Sequence, residues 1–362
     1  MKILIEKIKR NLNRLSNIAK QSGKGYFGAV WYVYKLSSSR GFCLTEIHDN
    51  EIDLGTKEYV DTFLNDKEQI KYLELLNPRF YSRVARNKYF THTMLEAAGI
   101  KEKSELYLYY NPELGSCAEG RTANDVASAL AILRSKNVRR CVIKTTEDSH
   151  GDNVVVVNDI KYGEGDAELL LYNGKKTKLS EILGKAPLIF ESVIEQTEQM
   201  RRFNASSVNT VRFMTVLHPN GEARIIATFI KIGRAGTCVD NAGGGGNIDA
   251  GVNVSDGTLY NTIRYEGPRN CKKIDRHPDS QELIEGVKIE NWDAICRKVL
   301  EFQKAMPFVK AAGWDIAITP AGPVIVELND MWDRIGQLFR RKGWKPEIKA
   351  CYDDWTRYYQ NK

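Results

Sequence analysis

Residues 313–330 read Gly-Trp-Asp-Ile-Ala-Ile-Thr-Pro-Ala-Gly-Pro-Val-Ile-Val-Glu-Leu-Asn-Asp. Two apolar runs flank Pro320-Ala321-Gly322. Proline sets the φ of a type I turn's first corner, and glycine takes the left-handed position after it. The spacing therefore predicts a hairpin with a three-residue loop and Thr319 opposite Pro323. Counting back sets Asp315 opposite Glu327, and the period-two alternation of a strand puts Glu327 and Asn329 on one face. Two carboxylates side by side repel unless a cation lies between them. Together with an amide oxygen they form a hard-ligand set suited to Mg²⁺, which takes few protein ligands and completes its shell from water and nucleotide phosphates. The other reading is that Asp315 caps a strand end and Glu327 pairs with a lysine.

The chain has 362 residues, enough for two to three domains and a sizeable core. It contains no apolar run of membrane-spanning length. The start, MKILIEKIKRNLNRL, alternates apolar with basic residues, unlike the continuous apolar segment of a secretion signal. The expected location is the cytoplasm. Seven scattered cysteines without CxxC or Cys/His spacing read as reduced thiols. A net charge of +7 suits an anionic small substrate or a membrane-surface partner and does not require nucleic acid. Arg340, Arg341, Lys342, Trp344, Lys345 and Lys349 gather near the C-terminus, as the solvated face of a terminal helix or as a peripheral contact with anionic lipid or a lipid-linked glycan.

Residues 1–87 read as a mainly helical region. The apolar stripe Tyr59, Phe63, Ile70, Leu73, Leu76 predicts one helix over 58–76, closed by Asn77-Pro78. A second runs from Asn87 to Ala98 and stops at Gly99. Residues 88–189 then change to short β-rich runs at 106–110, 141–145, 154–157, 169–172 and 188–193, around one helix predicted over Thr122–Lys136. Residues 190–362 form a second β-rich region. In it, strands 208–217 and 223–233 are joined by His218-Pro-Asn-Gly221, and a helix is predicted over Trp292–Met306. The fold class is α+β.

Four further stretches carry chemistry. Lys144 ends the run Cys141–Thr145 before a polar turn with His150 and Gly151; a strand lysine there can reach phosphate oxygens while the turn covers them, or it is an exposed lysine before a hairpin. Phe190-Glu-Ser-Val-Ile-Glu-Gln-Thr-Glu198 ends a strand in spaced glutamates; it offers backbone groups near Val193 to a base edge and a carboxylate to a ribose, or is an acidic surface turn. Arg212 lies inside an apolar strand with Lys231 and Arg234 on the returning strand; such an arginine needs an anion, either a phosphate or acyl-phosphate or a salt bridge to Glu195 or Glu222. The tract around Asp240, Asn241, Gly243 and Gly244 reads as a substrate-side loop, because glycine lets backbone approach a ligand closely. There is no P-loop, kinase HRD or DFG, GxSxG or HExxH motif.

In this order the elements resemble the ATP-grasp superfamily. Ser207-Val-Asn-Thr-Val-Arg212, Val239-Asp-Asn-Ala-Gly-Gly-Gly and Gly313–Asn329 look more narrowly like the sugar-transfer-associated ATP-grasp family, related to α-L-glutamate ligases. The resemblance implies ATP clamped between two antiparallel sheets, in a small lobe over 88–189 and a large lobe over 190–362. By motif match, Lys88 and Lys144 contact the nucleotide, Glu191 opens the adenine hinge, and Glu198 holds the ribose. Arg212 faces the γ-phosphate or acyl-phosphate, and Asp315, Glu327 and Asn329 hold Mg²⁺. The activity implied is an ATP- and Mg²⁺-dependent carboxylate–amine ligase acting through an acyl-phosphate in cell-surface polysaccharide synthesis, its partners a small-molecule or sugar-linked carboxylate and an amine. A phosphotransferase acting on a sugar or metabolite hydroxyl is the alternative, and a non-catalytic nucleotide-binding subunit a third.

Overall fold

The computed structural model describes residues 2–117, 120–147, 154–238 and 246–362. Seven helices precede the first strand: α1 (Lys2–Ser22), α2 (Gly25–Arg40), α3 (Leu44–Asp49), α4 (Lys57–Thr62), α5 (Asp66–Leu76), α6 (Arg79–Arg86) and α7 (Lys88–Ala97). The single helix expected over 58–76 is two. Phe63 is extended at ψ 126°, and the Asn65 side chain caps α5 by accepting the Glu68 N–H at 2.9 Å. The break lets one apolar stripe serve two cores. Tyr59 and Phe63 pack with Ile18, Leu36 and Ile47, while Leu73 and Leu76 pack against the second sheet.

The first sheet contains β1 (Leu106–Tyr110), β2 (Thr122–Ala123), β3 (Cys141–Thr145), β4 (Val155–Tyr162), β5 (Ala167–Leu171), β6 (Lys176–Lys178) and β7 (Leu188–Glu191), with helices α8 (Val126–Ser135) and α9 (Leu179–Ile182). Its order is β2-β1-β7-β3-β4-β5-β6, antiparallel except for β1 beside β2. The helix predicted over 122–136 begins later, at Val126. Asp125 caps it by accepting the Ser128 N–H at 2.8 Å, and Thr122–Ala123 pair with Tyr109–Tyr110 instead.

The second sheet contains β8 (Thr210–Leu217), β9 (Ala223–Ile232), β10 (Ile248–Val252), β11 (Leu259–Tyr265), β12 (Cys271–Lys273), β13 (Ala311–Thr319) and β14 (Gly322–Asn329). It is antiparallel throughout, in the order β12-β11-β10-β9-β8-β13-β14. Four helices accompany it: α10 (Glu198–Phe203), α11 (Trp292–Ala305), α12 (Gly336–Arg340) and α13 (Lys345–Gln360). One face packs Phe213, Trp314 and Ile316 against α11. The other packs Met214, Val216 and Ala227 against Leu73 and Leu76 of α5 and Ile348 and Cys351 of α13.

Three of the C-terminal basic residues pair across to other elements, whereas Lys349 stays half-exposed beside Asp353 of its own helix. Arg341, Lys342 and Lys345 pair with Glu51, Glu58 and Glu68 of the N-terminal region, and Trp344 is buried. Among the described residues, no helix is long and apolar enough to cross a membrane.

Candidate functional site

The apolar face of the second sheet turns polar toward one end of its strands. Arg212 follows Met214 at period two on β8, Lys231 follows Phe229 on β9, and Asp315 follows Gly313 on β13. These side chains, with Glu327 and Asn329 of β14, form one wall of a cleft of about 1030 Å³ whose other wall is β3 and β4 of the first sheet. Residues 192–197 cross between the sheets along its side. This segment is pinned by Ser192 N–H to Glu105 O at 2.9 Å and Thr197 N–H to Ile318 O at 2.8 Å.

Asp315 stands opposite Glu327 and Gly313 opposite Asn329, as expected, but by another route. The loop is Pro320-Ala321, with Thr319 paired to Gly322 rather than Pro323. A bulge at Val326 then adds back the residue the loop lacks. Each of the two carboxylates has its own cationic partners. Asp315 accepts from Arg212 at both oxygens (Nε to Oδ1 2.5 Å, Nη2 to Oδ2 2.8 Å), and Lys231 Nζ lies 3.1 Å from Oδ2. Glu327 Oε1 lies 3.1 Å from Lys88 Nζ. The partner of Arg212 is thus Asp315, where Glu195 and Glu222 were the sequence-based candidates. Burial pushes the Asp315 carboxyl up, but Arg212 and Lys231 outweigh it and hold it well below the usual carboxylate range.

A second cluster sits across the cleft. The Glu191 carboxylate receives Lys144 Nζ at 2.7 Å on Oε2 and His92 Nε2 at 2.5 Å on Oε1. Burial alone would raise this carboxyl; Lys144 and then His92 overcome that and lower it to about 2. Lys88 and His92 are four residues apart and so share one face of α7. One reaches Glu327 and the other Glu191, so α7 ties the two walls together.

Val193 also lines the cleft. Glu198 and Arg234 are not among the residues that do. Glu198 opens α10 with a largely exposed side chain, and Arg234 forms a two-pronged pair with Asp279, whose carboxyl it holds well below the usual range. His150, Gly151, Asp240, Asn241, Gly243 and Gly244 lie outside the described residues. Sequence reasoning missed His92, although its i+4 spacing from Lys88 was the available signal. It also missed Asp330, which accepts from Arg86 Nε at 3.0 and 3.1 Å beside the cleft.

For a divalent cation, Glu327 and Asn329 supply adjacent oxygens. The Asn329 Nδ2 donates to Gly313 O at 3.5 Å, leaving its amide oxygen for a ligand. A carboxylate offers about four lone-pair positions. Arg212 and Lys231 occupy three at Asp315, which leaves one. Among the described residues no three His, Cys, Asp or Glu side chains form a metal cage. The donor set fits a cation that takes most of its shell from phosphate and water.

Among solved structures, the chain is similar to a D-Ala:D-Ser ligase, VanG, from Enterococcus faecalis (12% identity, TM-score 0.43, covering 75% of this chain and 63% of that one). It is similar to a D-alanine–D-alanine ligase from Helicobacter pylori (12%, 0.38, covering 76% and 59%). It is similar also to a biotin carboxylase from Campylobacter jejuni (7%, 0.42, covering 76% and 47%). The chain spans less than two thirds of the length of each of these structures. A search of curated proteins returned no match. A family model described as sugar-transfer associated ATP-grasp matches residues 67–352, well over half the chain. With that match added to the two antiparallel-rich sheets and the cleft between them, the chain belongs to the sugar-transfer associated ATP-grasp family.

Proposed function

We propose that the protein is an ATP- and Mg²⁺-dependent carboxylate–amine ligase, with residues 88–189 and 190–362 as the two lobes that enclose the nucleotide. The carrying observation is the convergence in one cleft of Lys88, Lys144, Arg212 and Lys231 on Asp315, Glu327, Asn329 and Glu191. Lys88, Lys144, Arg212 and Lys231 are held in fixed directions by their carboxylate partners, and charged donors oriented in this way suit a polyphosphate with its metal. The family description favours an acceptor linked to sugar transfer, such as a sugar acid or a glycan-linked carboxylate.

Mg·ATP, when bound, supplies the phosphoryl group that converts a carboxylate into an acyl-phosphate open to attack by an amine. Glu327 and Asn329, with the remaining position on Asp315, would hold the metal. Lys88 and Lys144 would contact the phosphates, and Glu191 fixes the direction of Lys144. Arg212 presents a planar fork that Asp315 holds still, so its charge is already oriented where negative charge develops on the transferring group. The 192–197 segment would offer backbone groups to the base.

The test is phosphate release from Mg·ATP with pooled amino acids and sugar acids, followed by mass spectrometry of the same samples. The expected result is ADP, free phosphate and a condensed product lighter than its two substrates by one water. A phosphorylated acceptor without free phosphate would replace this reading with a phosphotransferase.

A further inference from the structure

The helical hairpin α1–α2 lies outside the cleft and outside the family match, which begins at residue 67. Its charge sets it apart. Residues 1–40 contain nine Lys and Arg and one acid, Glu6, a net +8; the remaining 322 residues hold 44 basic and 45 acidic side chains, a net −1. The entire net charge of the protein therefore sits on this hairpin.

One face of the hairpin is anchored. Ile18 and Leu36 are buried in a small core with Ile47, Ile52 and Phe63, and Gln21 accepts from Arg269 Nε at 2.6 Å. Beyond this core the hairpin leaves apolar side chains exposed, beside the anchored residues on α1 and opposite them on α2. On α1, Leu4, Ile8 and Leu12 recur every four residues, all at least 49% exposed; on α2, Phe27 (90%), Trp31 (65%) and Tyr34 (61%) form a second stripe. By the helical period, Lys7 flanks the α1 stripe on one side and Lys9 and Lys20 on the other, while Arg10 lies nearly opposite Ile8. Among the described residues, none of these four is in an ion pair.

We propose that the α1–α2 hairpin is an amphipathic anchor that lies on an anionic lipid surface. An aliphatic stripe beside Trp and Tyr, edged by lysine, matches the acyl and headgroup layers at once. The charge selects this occupant. A second copy would bring +8 against +8, and a nucleic acid would leave the aliphatic stripe of α1 in water. Burial of the apolar face holds the hairpin in the interface without a spanning segment, and the basic edges select for anionic headgroups.

The experiment is flotation of the full-length protein, without nucleotide, with vesicles of phosphatidylcholine alone or enriched in phosphatidylglycerol, at low and raised salt. Reading it without nucleotide keeps it independent of the ligase proposal. The expected result is flotation with the anionic vesicles only, weakened by salt. Phe27→Glu/Trp31→Glu and Lys7→Glu/Lys9→Glu/Lys20→Glu should each reduce vesicle affinity at least about tenfold with an unchanged unfolding temperature, since the replaced side chains are exposed. Absence of flotation with anionic vesicles, or flotation indifferent to both variants, would overturn the proposal. So would retention on a single-stranded oligonucleotide, or dimerisation abolished by Trp31→Glu, in the absence of vesicle binding.

Discussion

Glu191 is fully enclosed yet ionised, because Lys144 and His92 grip its two oxygens. Its carboxyl falls from an ordinary 4.5 to about 2 on folding. A depressed acid contributes stability above its unfolded pKa and loses it as pH falls toward the folded one, so the contribution should disappear between pH 4.5 and 2. At most about 3 kcal/mol is involved, from the size of the shift. Urea unfolding from pH 6 downward should show stability dropping across that window. In Glu191→Gln the drop should be shallower and the stability at pH 6 lower, because Lys144 is left buried without its carboxylate. Asp315 makes the complementary case. Asp315→Asn should slow phosphate release about 10²-fold, the usual effect of losing one oriented charge, and Arg212→Lys should do likewise because an ammonium cannot reproduce the two-pronged grip. Circular dichroism matching the parent would assign the loss to the site; equal turnover in both variants would remove Arg212 from the proposed chemistry.

At the scale of elements, what could be read depended on whether the deciding interaction was local. The hairpin 313–330 announces itself through Pro320, Gly322 and the alternation around them, and the facing of Asp315 and Glu327 follows from counting. The bulge at Val326 leaves no local signal; it comes from fitting β14 to β13, and it offset a loop read one residue too long. The break in the 58–76 stripe was hidden for the same reason, since Tyr59 and Leu73 look alike in sequence but belong to different cores. At the site, charged residues inside apolar strands were visible, but their partners were not. Arg212 and Asp315 are 103 residues apart, and only the sheet order brings β8 beside β13. Packing between elements yields a prediction of its own. Gly336 begins α12 where a Cβ would sit 2.4 Å from Phe229 Cε1, on the strand that carries Lys231. Gly336→Ala should therefore cost roughly 1–3 kcal/mol by overpacking. Thermal unfolding measures it, and a stability equal to the parent's would mean that α12 shifts freely on β9.

Across the whole molecule, the N-terminal helices are fastened to the second sheet by polar contacts that sequence alone did not reveal. Gln337 joins both backbone groups of Leu64, accepting its N–H at 2.8 Å and donating to its carbonyl at 3.2 Å. Another tie is Arg269, beyond the end of β11, which forms a two-pronged bond to Asp53 at 2.8 and 2.7 Å. Both side chains are almost wholly buried, at 2% and 0% exposure. Burial raises the Asp53 carboxyl despite the adjacent guanidinium, so the attraction does not fully repay the loss of water. The two kinds of substitution should then behave oppositely. Asp53→Asn strands a buried guanidinium and should cost roughly 3–5 kcal/mol, and Arg269→Met should cost a similar amount by stranding the carboxylate. The double variant Asp53→Leu/Arg269→Met removes both charges and should recover most of that loss. Urea unfolding of the four proteins forms a complete cycle. Single costs that simply add in the double variant would mean that the two charges do not depend on each other, and that the N-terminal region is held by its apolar contacts instead.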